Sequence, residues 1–491
     1  EVAIPFKRKA SVGRTGLCST QSATTNEGLP VGEESKGIRF DFNGSIRVAA
    51  RGEQLSGNAG AMLLRAVDDA VGVTRQLAQD LHDPRDPSLV QYRLSELLRT
   101  RLQMIALGYR DQGDADLLRR DPVLRLAVSD AAGLSPLGDS TLASQPTMSR
   151  LIDTLAIPSN LAKLNGALLD GAIRSGRQGR GLEKRRATID VDSFPIEAHG
   201  HQPGSEWNRH YGMRCFHPLI AMLDTGHWLG VELRPGNTHT ATGVTEFLRP
   251  LIAGIERATG EKPRLRGDSG FVSATTLDEL EEDGTEYVFR VTNNQVLDRL
   301  AAPYLVRPAG RRPKEPREWV HDLEYQAGTW SKPRRVVVVV MERKDELFLH
   351  HFVLVTNASR KDWPAAQLLA DYRQRGTMEG RIGEMQSVLA PALSCTQRGE
   401  DRSARDPREV EFRNAATLAL FALAYNLAHS TRLVHVRVTK QSCSLDRLRK
   451  KLLAVPALVV VSARRATLAV NATVADLWAR FLRTLAVPRA A

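Results

Sequence analysis

The stretch ATIDVDS, residues 187–193, decides how the rest of the chain is read. Thr188, Asp190 and Asp192 alternate with Ile189 and Val191. An extended segment would therefore set both acids on one face of a sheet and both aliphatics on the other. Carboxylates at the end of a half-buried strand are costly unless a cation lies between them. A hard divalent cation such as Mg²⁺ takes carboxylate oxygens. An isolated Asp-x-Asp is more often a solvent-facing strand with two exposed acids, so its neighbours along the chain decide between the two readings.

Downstream, CFHPLIAML (215–223) and WLGVELRPG (228–236) are strand-like, and TATGVTEFLRPLIAGIERATG (240–260) is an amphipathic helix ending in glycine. RLRGDSGFV (264–272) is a short strand that delivers Asp268 and breaks at Gly270; a helical TTLDELEEDG and the strand EYVFRVT follow. Three strands, helix, strand, helix, strand is the layout of a ribonuclease-H-like α/β core, in which acids at the ends of adjacent strands converge on metal. This sets the expected first part of the core at 181–292.

Residues 293–360 depart from that layout. They are basic around Arg307, Arg311, Arg312, Lys314 and Arg317 and contain strands such as RRVVVVVMER and LFLHHFVLVTN, which predicts a β-rich insertion. Trp319 and Trp330 within it are more readily packing residues, although an exposed Trp330 would offer a face for a flipped base. The second part of the core, 361–435, opens with ADYRQRGTMEGRIGEMQSVLAP, helical up to Pro391. On one continuous helix Tyr372, Arg375, Glu379, Ile382 and Gln386 would share a face. Gly376, Gly380 and Gly383 weaken it by roughly 1 kcal/mol each relative to alanine, so either packing enforces the helix or the glycines admit another backbone.

Upstream, residues 1–37 read as a polar disordered tail and 38–180 as a mainly helical region that opens with a hairpin turning at Asn43-Gly44. Pro122 suits a first helical turn, with Asp121 as its cap. In ASQPTMSRLIDTL (143–155), Ser144 is the expected cap. Thr147, Ser149 and Arg150 then fall at the front of a short helix, where helix-turn-helix proteins present side chains to DNA; a plain bundle helix is an equal alternative. The basic run RSGRQGRGLEKRR (174–186) reads as a linker able to contact phosphate. At the other end, a long apolar helix runs into a C-terminal region, 436–491, with a basic helix carrying Arg447, Arg449, Lys450 and Lys451.

Composition narrows the partner. The formal net charge of +12 favours a polyanion, of which nucleic acid is the commonest. The four cysteines, Cys18, Cys215, Cys395 and Cys443, are scattered, which argues against a zinc module or disulfide framework and suits a reducing cytoplasm. Four histidines, His199, His201, His210 and His217, crowd one segment; without matched cysteines, structural or DNA-contact roles are favoured over zinc. No apolar run reaches membrane length. A start at Glu1, without methionine, is expected for a truncated reading frame.

Four segments in order are DVDS with AHGHQPGSEWNRHYG, ELRPGNTH, RGDSGF, and YRQRGTMEGRIGEMQ. In these the chain resembles the bacterial insertion-sequence DDE transposases whose glutamate lies in a Tyr-Arg-Glu-Lys signature. GYRDQGDADLLRRDP and SQPTMSRL are similar to that family's pre-catalytic region, so the resemblance runs from about residue 38 to the end. It implies Asp192, Asp268 and Glu379 as catalytic acids and metal ligands, with Asp190 the rival for the first place. Tyr372 and Arg375 match positions that hold a DNA phosphate near the cleaved end, and the signature lysine is replaced here by Gln386. The resemblance further implies two Mg²⁺ ions about 4 Å apart, with Mn²⁺ able to substitute. Water would cleave first, and the freed 3′-OH would then attack target DNA. Double-stranded DNA (transposon ends and target), a homodimer in the synaptic complex and a bacterial, nucleoid-associated location complete the expectation. The alternatives are a catalytically inactive, transposase-derived DNA-binding protein and a ribonuclease-H-like nuclease of repair.

Overall fold

A computed structural model of the chain describes residues 38–48, 54–131, 133–138, 140–179, 186–307, 309, 315–344, 346–395 and 408–486. The expected tail, residues 180–185 of the basic run, and Arg311, Arg312 and Lys314 lie outside them. By their contacts, residues 1–52 and 53–491 are two units. In the first, β1 (Ile38–Phe40) and β2 (Asn43–Val48) form an antiparallel hairpin. Its turn is Asp41-Phe42, not Asn43-Gly44, because Phe40 pairs with Asn43. Asn43 opens β2 and its side-chain oxygen accepts from the Ser45 N–H at 3.1 Å, a local bond that suits a turn exit.

The second unit starts with β3 (Gln54–Ser56) and seven helices: α1 (Ala61–Val71), α2 (Val73–Asp80), α3 (Leu94–Leu107), α4 (Asp114–Leu118), α5 (Pro122–Val128), α6 (Gln145–Leu155) and α7 (Pro158–Gly179). Asp121 caps α5 as expected, accepting from the Val123 and Leu124 N–H groups at 3.0 and 2.9 Å. Ser144 precedes α6 without capping it; its hydroxyl bonds the Thr147 hydroxyl at 3.2 Å.

The 187–193 alternation becomes β4 (Thr188–Ser193), with Ile189 and Val191 packed on one side of the sheet. A small three-stranded sheet follows, from β5 (Ile196–Glu197), β6 (Glu206–Asn208) and β7 (Met213–Phe216). The run CFHPLIAML is therefore two strands in two sheets: His217-Pro218 separates β7 from β8 (Leu219–Leu223), and Pro218 has no N–H to continue a ladder. Then come β9 (Trp228–Glu232), α8 (Val244–Thr259), β10 (Arg264–Gly267), α9 (Ala274–Glu282) and β11 (Tyr287–Val291), in the expected order.

After α10 (Gln295–Ala301), the inserted strands β12 (Arg317–Tyr325), β13 (Arg334–Glu342) and β14 (His350–Thr356) do not make a body of their own. β14 pairs antiparallel with β11, giving one eight-stranded sheet in the order β12-β13-β14-β11-β10-β4-β8-β9, with β4, β10 and β11 parallel. Val336 to Val340 are fully buried, as a run covered on both faces should be.

The acid-bearing segment is not one helix. It is α11 (Ala365–Arg373) and α12 (Arg375–Glu384), joined at Gln374 and closed by a π-helical turn at Met385–Leu389. The chain ends with α13 (Arg408–Thr439), α14 (Leu445–Leu448), a π-helical turn at Arg449–Leu453, the hairpin β15 (Ala457–Ser462) and β16 (Arg465–Ala469), and α15 (Ala472–Ala486). β15 also pairs with β3, which ties the two ends of this unit together. Among the described residues no helix is long and apolar enough to cross a membrane.

Candidate active site

Asp190 and Asp192 share the face of β4 opposite Ile189 and Val191, yet their surroundings differ. Asp190 is fully engaged by Arg266 of β10, which donates to its two oxygens at 2.5 and 2.7 Å; Arg266 also donates to the Asp371 carbonyl. Both side chains are buried. Arg266 is thus the local ion partner of Asp190.

Asp192, also buried and two residues further along the same strand, meets a different arginine. Arg375 Nη2 donates to it at 2.6 Å and lies 3.9 Å from Asp268, while Nη1 donates to Glu379 one helical turn on. Three carboxylates from the end of β4, the turn after β10 and the middle of α12 thereby converge on one guanidinium. Asp268 is aimed by its own turn, accepting from the Gly270 N–H at 2.9 Å. Gly267 before it leaves no room for a side chain, since a Cβ would lie 2.9 Å from the Phe289 ring. Asp268 and Glu379 are 42% and 60% exposed, so their outer oxygens face solvent, whereas Arg375 is buried beneath them.

The pitch of α12 comes from contacts on its inner side. Met378, Ile382 and Met385 are buried. Glu384 points away from Glu379 and accepts from Arg432 (2.7 and 2.8 Å), the Tyr425 hydroxyl (3.0 Å) and the Leu445 N–H (2.9 Å). These contacts hold a helix that Gly376, Gly380 and Gly383 weaken. Among the described residues, nothing outside the adjoining turns of the helix lies within 4 Å of where their Cβ atoms would be, so no other described backbone uses the gap.

Burial pushes the Asp192 carboxyl up to about 6; Arg375 opposes this, and Asp268 and Glu379 reinforce it. The folded protein therefore holds this proton more tightly than the unfolded chain, whose aspartates titrate near about 3.9. The resulting stability is full at about pH 4 and is lost as the pH rises through about 6. Melting curves between about pH 4 and 7 should show the wild type losing stability relative to Asp192→Asn; parallel profiles would contradict it.

The donor set fits a divalent ion by its chemistry: carboxylate oxygens only, gathered around a positive charge for which the guanidinium stands in. Among the described residues, no three His, Cys, Asp or Glu side chains are close enough to chelate an ion as they stand. Arg375 would have to withdraw for direct ligation. His217, one of the crowded histidines, is buried, with Nδ1 3.2 Å from the Thr238 carbonyl.

The other expected residues are distributed unevenly. Tyr372, half-buried on α11, lies near the acids with its ring 6.3 Å from that of Phe352. Gln386 is exposed and donates to the Pro195 carbonyl at 3.4 Å, just past the end of β4. Arg375, expected at a phosphate, is bonded to the acids.

Of the α6 group, Arg150 is exposed and Thr147 half-buried, but Ser149 faces inward against Gln112 at 2.7 Å, which corrects its expected place at an exposed front. Trp330 is also corrected. It is 6% exposed, with Tyr325 edge-on at 5.4 Å and the Arg334 guanidinium over its ring at 5.2 Å, so no face is open to a base. A residue without an assigned role joins the site: Tyr211, whose hydroxyl is pushed up by burial and by Asp192 and Asp268. Its position inside the AHGHQPGSEWNRHYG segment was the available signal.

The family model for transposase DDE domain group 1 matches residues 38–487. No curated protein is similar enough in sequence to match. Among solved structures, a piggyBac transposase synaptic complex with hairpin DNA, determined by cryo-EM, is similar over 88% of this chain and 82% of that one, with 10% identity and a TM-score of 0.36. With the family model spanning almost the whole chain, this protein belongs to the DDE transposases.

Proposed function

We propose that this chain binds the terminal inverted repeats of a bacterial insertion sequence and cuts and joins DNA at the site formed by Asp192, Asp268 and Glu379. The observation that carries the reading is the convergence of these three acids on Arg375. The strand order β9-β8-β4-β10-β11, with three antiparallel strands leading into two parallel ones, supports a ribonuclease-H-like core beneath them.

Mg²⁺ ions held by the three carboxylates would supply Lewis-acid activation of the attacking oxygen and charge neutralisation at the leaving one. The residues have divided roles. Asp192 is the fixed inner acid on rigid β4, while Asp268 and Glu379 keep oxygens in solvent, where a phosphodiester can approach. Arg375, once free of the acids, is placed to take a phosphate oxygen, and Tyr372 and Gln386 flank the approach. No covalent protein intermediate is required, and the net charge of +12 suits a DNA duplex. A homodimer that brings two ends together, in the bacterial cytoplasm at the nucleoid, completes the reading.

The test is cleavage of a labelled duplex carrying the element's end, in Mg²⁺ and in Mn²⁺, with Asp268→Ala and Glu379→Ala alongside. Cleavage by the wild type that both variants lose, with end binding kept, is the expected result. Tight end binding without cleavage by the wild type in either metal would establish the second reading, an inactive DNA-binding descendant, which the neutral Gln386 at a signature lysine position favours.

A further inference from the structure

A second cationic feature lies away from the acids, where α3, α6 and α13 meet. A cleft of about 380 Å³ is lined there by Arg101, Arg110, Asp111, Gln112, Ser149 and Arg413, room for roughly a dozen water molecules. Arg101 stands in its wall and is 2% exposed. Its two Nη atoms donate to the carbonyls of Arg110 and Asp111 at 2.8 and 3.3 Å, and its Nε has no acceptor. Among the described residues it forms no ion pair.

Its neighbours are already committed. Arg413 has Asp153 at 3.0 Å. The Asp111 carboxylate, which also faces the cleft, accepts from the Gly113 N–H at 2.6 Å. Burial pulls the Arg101 guanidinium down to about 10, so it remains charged at neutrality. Besides the two carbonyls it has only the Phe421 ring, 5.8 Å from its central carbon, and the longer-range charges of Asp111 and Asp114; a buried guanidinium with no carboxylate bonded to it is destabilising unless an anion completes it. The exposed Arg110 adds a second cation to the lining, and Ser149 and Gln112 add neutral polar groups. The planar donors of a guanidinium match the paired oxygens of a phosphate or a carboxylate.

We propose that this cleft is a phosphate site, with Arg101 and Arg110 as ligands, that receives a backbone phosphate of duplex DNA. The proposal rests on the reading of the chain as a DNA-handling enzyme and adds an anchor for the duplex remote from the cleavage centre.

The test uses the full-length chain and Arg101→Met, which keeps the bulk and removes the charge. Inorganic phosphate should raise the melting temperature of the wild type and not of the variant, which should itself melt higher than the wild type in phosphate-free buffer. For duplex DNA, the slope of log affinity against log salt should shrink by about one for each phosphate that the protein no longer neutralises. That change is expected in Arg101→Met and also in Arg110→Gln, whose exposed site carries no folding risk. A variant that melts lower, with phosphate protection and salt slope unchanged in both variants, would overturn the proposal. Phosphate protection that depends on Arg101 while the DNA slope does not move would overturn its DNA half in favour of a free-anion site. Because cleavage by the wild type and its loss in Asp268→Ala are read separately, failure of the cleft leaves the transposase reading intact.

Discussion

Asp192→Asn should abolish metal-dependent strand cleavage while leaving the fold at least as stable as the wild type at pH 8. The amide keeps the shape of the side chain and can still face Arg375, but it cannot supply an anionic oxygen to a hard cation. Loss of one acid from a three-carboxylate centre should lower the rate on the order of a thousandfold or more, equivalent to about 4 kcal/mol of transition-state stabilisation. Stability should not fall, because burial holds the wild-type carboxyl at about 6 and ionising it above that pH works against folding. Cleavage at pH 8 and urea denaturation on the same preparations separate the two effects. An Asp192→Asn protein that cleaves normally would remove Asp192 from the centre and return the first acid to open question.

Arg266→Ala should have the opposite profile, a loss of about 3–5 kcal/mol of stability. Asp190 and Arg266 are both 4% exposed at the side chain and bonded through both carboxylate oxygens. Removing the guanidinium strands a carboxylate in the sheet and frees the Asp371 carbonyl at the end of α11. Against a total of about 5–15 kcal/mol for an ordinary domain, this is a large share. The double change Asp190→Leu with Arg266→Met removes both charges and should recover most of the loss, since replacing a buried pair with apolar groups is often close to neutral. Equal instability of the single and double variants in urea would show that packing, not the unmatched charge, accounts for the loss. The two acids of one Asp-x-Asp would then be told apart by experiment, one by its chemistry and the other by what it holds together.

How far the sequence carried the fold depends on the range of each interaction. The alternation in 187–193, the turn at Gly270 that aims Asp268 and the order from β9 to β11 are local signals, and each is realised, whereas CFHPLIAML divides between two sheets. Asp190 and Asp192 could not be separated locally, because their partners, Arg266 and Arg375, come from distant parts of the chain. That Arg375 would sit against Glu379 was partly legible, since arginine and glutamate four apart on a helix are neighbours; its bond to Asp192 was not. The pairing of β14 with β11 depends on register between segments far apart, so the sequence, which reads as a β-rich insertion in the core, does not say that its strands extend the main sheet. Trp330, more readily a packing residue on sequence, is indeed enclosed, but the residues that enclose it, Tyr325 and Arg334, meet it only once β12 and β13 are paired. Ser149 lies next to the apolar row of Met148, Leu151, Ile152 and Leu155, and the neighbouring Gln112 draws its hydroxyl inward.

Helix α13 has a mechanical consequence. At 32 residues it is a rod of about 48 Å, and it touches α1, α3, α6, α7, α15 and β9 along its length. Asn426 pins it to the sheet by bonding both the N–H and the carbonyl of Trp228 at 2.8 Å, and Arg432 pins it to α12 through Glu384. A beam fastened at so many points carries load from either end to the other without bending. The helices before β4, the edge of the sheet at β9 and α12 are therefore fastened to one common rod, so a displacement of any one of them is resisted by the others.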